Sequence, residues 1–231
     1  LTEEDPALHI LRDEETKEMI ISGMGQVHVE VAIEKLHRKF GAEVILKEPK
    51  VPYREAIKKS VDQHYRHKKQ SGGRGQFADV PIRLEPRKRG EGYLFIDKVV
   101  GGVVPRQYIP AVDKGIQEVM HKGTLAGFPV QDFSVTLYDG SHHSVDSSEM
   151  AFKIAGSMAF KKACEAASPV LLEPVMEMEI TVPDECVGDV IGDMNSRRGK
   201  VLGMDPKAGS QVVKAQAPMS EVLKYAPELR S

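Results

Sequence analysis

The chain has 231 residues, 41% hydrophobic and 29% charged, a composition that suits a globular protein of one large domain or two to three small ones. A formal net charge of -2 argues neither for nor against a polyanionic partner, so any nucleic-acid contact has to come from a local patch. No apolar run approaches the roughly 18 residues needed to cross a bilayer, and no signal-peptide pattern opens the chain.

The first block covers residues 1–50. Ala7 to Leu11 and Met19 to Ser22 are short apolar stretches around a polar turn, which predicts a hairpin. From Gln26 to Phe40, Val29, Ala32, Ile33, Leu36 and Phe40 recur at three- and four-residue steps, and Gly41 stands where a left-handed cap belongs. Ala42 to Leu46 is expected to be a further strand. The order strand, strand, helix, strand is part of a split βαββαβ unit.

The second block covers residues 51–168. A helix is expected over Pro110–Lys122, with Pro in its first turn and Gly123 after its end. A second is expected over Asp146–Ala167, where Asp146 and Glu149 have the spacing of a capping box. Strands are expected at Val80–Leu84, Tyr93–Val99 and Asp132–Tyr138. The third block covers residues 169–231. Met176 to Val182 alternates as a strand, Cys186 to Arg198 has helical spacing, Lys200–Met204 and Gln211–Ala215 read as strands, and Met219–Arg230 as a helix. That βαββα order is a split βαβ unit short of its last strand. Starting at Leu1 without a Met and stopping just after an expected helix, the chain reads as cut at both ends.

One stretch departs from the global charge. Residues 54–89 hold eleven Lys and Arg against four acids, a net of +7, and enclose Gln70-Ser71-Gly72-Gly73-Arg74-Gly75-Gln76. Glycines around an arginine make a loop whose backbone N–H groups can approach a phosphate closely, although a flexible turn on a solvated basic face has the same composition. The phosphate-loop pattern GxxxxGK[ST] occurs nowhere, so a nucleotide site is not expected in this chain. A second candidate is the run from Asp139 to Asp146. Asp139, His142, His143 and Asp146 could serve a metal-dependent enzyme, or the run could be a polar turn, since adjacent histidines diverge in most backbone conformations. We expect neither a metal nor a catalytic residue. Cys164 and Cys186 lack metal-ligand spacing and suit a reducing, cytoplasmic setting.

Several of these runs resemble elongation factor G. Ile20-Ile21-Ser22-Gly23-Met24-Gly25-Gln26-Val27-His28 is similar to a signature of its third domain. Gln70–Gln76 and Gly101-Gly102-Val103-Val104-Pro105 with Tyr108–Gly115 are similar to its fourth, as is Asp139-Gly140-Ser141 with His143 and Val145–Glu149. Val170–Pro174 and Gly188–Asp193 are similar to its fifth. His142, where the family typically has tyrosine, and Phe77-Ala78-Asp79, in place of a Tyr-Gly-His type run, place the chain nearer the elongation factor G-like paralogues.

The resemblance implies an α+β chain in which two partial ferredoxin-like sandwiches flank a ribosomal-protein-like α/β domain. It implies that Lys69, Gln70, Ser71, Gly72, Gly73, Arg74, Gly75 and Gln76, with Ser141, His142, His143 and Asp146, form two tip loops. These would contact small-subunit ribosomal RNA at the decoding site and the tRNA–mRNA duplex during translocation, while the third block meets the large subunit. GTP and magnesium would belong to an N-terminal domain of the parent protein, with no cofactor in this chain and no oligomer or membrane partner. Ribosome recycling or ribosome protection is the alternative within the same resemblance.

Overall fold

The computed structural model describes residues 2, 4–13, 16–70 and 75–229. They form two compact units, Leu1–Pro52 with Glu173–Ser231, and Tyr53–Leu172.

The first unit opens with the antiparallel hairpin of β1 (His9–Arg12) and β2 (Met19–Ser22), followed by α1 (Gln26–Phe40). Gly41 adopts φ 64° and donates its N–H to the His37 carbonyl at 2.8 Å, a left-handed cap that a Cβ would disfavour. His28 ties the turn between hairpin and helix, because its Nδ1 accepts the Met24 N–H at 3.0 Å and its Nε2 pairs with Asp5 at 2.7 Å. Ala42–Leu46 forms no strand, contrary to the expectation from its composition. A strand requires a neighbour to bond, and among the described residues the hairpin gains no third member. Val44, Ile45 and Leu46 instead line an apolar groove together with Ile20, Ile33 and Leu36.

The second unit is built on a four-stranded sheet. Its strands are β4 (Val61–Lys69), β5 (Gln76–Pro86), β6 (Tyr93–Asp97) and β7 (Phe133–Leu137), ordered β4-β5-β7-β6. A short ribbon pairs β3 (Arg54–Ile57) with β8 (Pro169–Leu172). Helices α2 (Ile109–Lys122) and α3 (Glu149–Ala166) cover one face. The parallel pair β6–β7 is joined through α2, the crossover that parallel neighbours require. Ala78, Val80, Ile82 and Leu84 of β5 and Phe133, Val135 and Leu137 of β7 are fully buried against Phe152 and Phe160 of α3. The two helices touch at glycine: a Cβ on Gly115 would lie 2.2 Å from the Lys153 carbonyl oxygen, and one on Gly156 would lie 2.8 Å from that of Val112.

Two features of this unit differ from the expectation or lie outside it. The cap of α3 is Ser148, whose Oγ accepts the Ala151 N–H at 3.2 Å, so Asp146 and Glu149 form no capping box. Glu55, on β3, is fully buried. Its carboxylate accepts the backbone N–H groups of Thr124, Leu125, Ala126, Gly127 and Phe128 at 2.7–3.2 Å, and the Thr124 hydroxyl at 3.2 Å. Burial alone would raise its pKa, but these hydrogen bonds outweigh it and hold the carboxyl below the usual glutamate range.

The chain then returns to the first unit with β9 (Val175–Pro183), α4 (Val187–Ser196), β10 (Lys200–Lys207) and β11 (Ser210–Pro218). The antiparallel order β10-β11-β9 places β11 between two parallel strands joined through α4, a split βαβ unit. Ile180, Val182, Val190, Met194 and Val213 form its core. The helix expected over Met219–Arg230 is instead two short ones, α5 (Met219–Val222) and α6 (Tyr225–Glu228). Pro227 explains the break, since its ring crowds the carbonyl four residues back, at Leu223, and offers no N–H to it. Among the described residues no helix is long and apolar enough to cross a membrane.

Candidate nucleic-acid interface

β4 is an edge strand that alternates from Val61 to Lys68. Val61 and Tyr65 pack on the core, with the Lys162 ammonium 5.0 Å from the Tyr65 ring centre, while His64, Arg66 and Lys68 are exposed on the other face. Its antiparallel pairing with β5 runs down to Lys69 opposite Gln76. A cross-strand bond from His67 Nε2 to Gln76 Oε1 (2.9 Å) braces that end. Ser71, Gly72, Gly73 and Arg74 lie outside the described residues.

The segment after β7 returns to this hairpin. Ser141 makes reciprocal backbone bonds with Asp79, 3.2 and 3.3 Å, on the side of β5 away from β4. Further along, the Phe77 N–H donates to the Asp146 carbonyl (2.9 Å), and the Ser147 hydroxyl donates to the Phe77 carbonyl (2.7 Å). The Asp146 carboxylate accepts the Gly75 N–H at 3.0 Å. Asp146 is therefore committed to Gly75, which is why it leaves the helix cap to Ser148. The segment after β7 is thus bonded to Gly75 and the first residues of β5, far from it in sequence.

Within it, His143 has a defined role for each ring nitrogen. Nδ1 accepts the N–H groups of Val145 and Asp146 at 3.3 and 3.2 Å, and in the neutral imidazole this places the ring proton on Nε2. Nε2 has no bond among the described residues, and the side chain is 54% exposed, leaving a donor for a partner. His142 engages the Val103 carbonyl through Nδ1 at 3.0 Å. The two histidines are thus held by different segments. Among the described residues no three His, Cys, Asp or Glu side chains come together as metal ligands, and Asp139, His142, His143 and Asp146 form no such group.

Asp79 is the residue of this region that sequence reasoning left unassigned. It is 7% exposed, stands opposite Arg66 in the β4–β5 register, and binds Arg66 (3.1 Å), His64 Nε2 and the Ser141 hydroxyl (3.1 Å) through its carboxylate. Burial pushes its carboxyl up, while the bonds from Arg66 and His64 more than compensate and hold it below the ordinary aspartate range. Its place opposite an arginine on paired strands was the available signal, and it required the β4 pairing to be known.

Three family models match consecutive stretches: elongation factor G domain III over residues 1–48, domain IV over residues 49–168, and the elongation factor G C-terminus over residues 170–231. Among solved structures, a crystal structure of a Thermus thermophilus protein is similar at 48% identity with a TM-score of 0.82; the match covers 97% of this chain and 33% of that one. The chain belongs to the elongation factor G family.

Proposed function

We propose that this chain is the ribosome-engaging module of a cytoplasmic translational GTPase that promotes tRNA–mRNA translocation, its two tip loops entering the decoding site. The nucleotide and its magnesium would be bound by another domain of the whole protein, since residues 1–231 contain no phosphate-loop pattern. The three domains would be residues 1–50, 51–168 and 169–231, the last meeting the large subunit. Lys69 and Arg74 would neutralise phosphates, and Gln70–Gln76 with Ser141–Asp146 would lie along the codon–anticodon duplex.

The observation that supports this reading best is the His143 segment, bonded to Gly75 and the start of β5 and presenting His143 Nε2. An N–H donor on a braced loop suits the 2′-hydroxyls and base edges of a shallow RNA minor groove. The test is single-turnover translocation alongside GTP turnover in the full-length protein. His143→Ala is expected to slow movement about tenfold, the value of one good hydrogen bond at about 1.4 kcal/mol, and to leave GTP hydrolysis unchanged. Equal loss of both rates would assign the histidine to docking or folding, and no loss of either would return the run to a polar connecting turn.

A further inference from the structure

The outward side of β4 carries a row of basic side chains. His64, Arg66 and Lys68 are successive side chains on that face, and residues two apart on a strand stand about 6.7 Å apart, the order of separation of neighbouring phosphates along one nucleic-acid strand. Arg66 and His64 are 58% and 54% exposed. Both are tied from beneath to the buried Asp79 carboxylate, which fixes their direction. Arg66 gives Asp79 hydrogen from one terminal nitrogen only, so most of the guanidinium's donors remain for a partner. Lys68 has no acidic partner among the described residues. The one other acid on this face of β4, Asp62, is taken by Arg83 through bonds of 2.8 and 3.2 Å.

We infer that this row is a phosphate track, a second contact surface on which an RNA backbone continues from the tip loops along β4. The inference rests on the functional reading above and extends it from the loops to the strand that carries them. RNA is favoured over an acidic protein segment because the row is spaced for a regular polyanion and its strand leads in sequence into the glycine-rich run Gln70–Gln76.

The experiment is equilibrium binding of the 231-residue chain to vacant ribosomes, and to a plain RNA duplex, across a KCl series. Each lost phosphate contact removes roughly 0.7–0.9 of log–log slope, so the pair Arg66→Ala, Lys68→Ala is expected to lower the slope by about 1.4–1.8 on both targets. Lys68→Ala alone, which breaks no side-chain bond among the described residues, is expected to lower it by about half as much. The pair Lys114→Ala, Lys161→Ala removes the same charge from exposed positions on the helices α2 and α3 of the same unit and is expected to leave the slope unchanged. Equal slopes for the two double variants would reduce the row to general electrostatics and overturn the track. A loss confined to ribosomes and absent on RNA would mean an acidic protein surface and would overturn it too. Failure of the unaltered chain to bind ribosomes would sink the functional reading itself, whereas binding with an unmoved slope in the first pair sinks the track alone.

Discussion

Five consecutive backbone N–H groups around one carboxylate make the Thr124–Phe128 turn depend on Glu55. A charge in that position is tolerated because every lone pair faces a donor, and the same donors would be stranded without it. Glu55→Ala is expected to cost about 3–5 kcal/mol, read as a lowered urea midpoint at neutral pH. The sign of its pH dependence follows from the lowered folded pKa. The stabilisation is fully present above the unfolded value of about 4.3 and is lost as pH falls through the folded value. Acidification from neutral pH to well below 4 should therefore destabilise the unaltered chain more than Glu55→Gln, whose side chain does not titrate. An equal acid response in both would place the titrating group elsewhere. Nothing in the sequence marks Glu55, which reads there as one of four acids diluting a basic stretch.

At the level of elements, the contact between α2 and α3 is set by what is missing from two residues. Because a Cβ on Gly115 would fall 2.2 Å from the Lys153 carbonyl oxygen, backbone has to move for alanine to fit. Gly115→Ala is expected to lose about 1–3 kcal/mol despite its better helix propensity, seen as a fall in melting temperature. A neutral or stabilising outcome would mean that the helices can part without disturbing Phe152 and Phe160. Elements whose cause is local were legible in the sequence. α1 with its Gly41 cap, β2, and α2 up to Gly123 appear where the apolar period and terminal glycines put them. Elements whose cause is tertiary were not. β4 has only a weak apolar alternation beneath its charges and is held by pairing with β5. Ala42–Leu46 has strand composition and no partner. Asp146 has cap chemistry but bonds a loop distant in sequence. The candidate site shows the same division: its glycine-rich and histidine-bearing runs were visible, while the bonds joining them, and Asp79 beneath them, required the fold.

Across the whole molecule, the two units differ in how their cores are closed. In Tyr53–Leu172 the sheet is sealed by two long helices, and a continuous core runs from Ile57 through Phe133, Phe152 and Phe160 to Ala167. In the 173–229 segment a smaller core of Ile180, Val182, Val190, Met194, Val213, Ala215 and Tyr225 lies on three strands. Among the described residues β9 is bonded on one side only, by β11, so half of its backbone groups depend on solvent or on a further partner. Local opening is favoured where few apolar contacts are lost and backbone bonds are near water. Hydrogen exchange of this chain is therefore expected to be ordered: amides of β5, β7 and α3 exchange last, and those of β9 at least about tenfold sooner, a gap of about 1.4 kcal/mol in opening free energy. The order has a direct control in Gly115→Ala, which acts on the second unit and should bring the α3 amides toward those of β9 while leaving β9 where it was. Equal protection of β9 and β5 in the unaltered chain would show that the free edge costs nothing, and that the smaller core is as stable as the larger one.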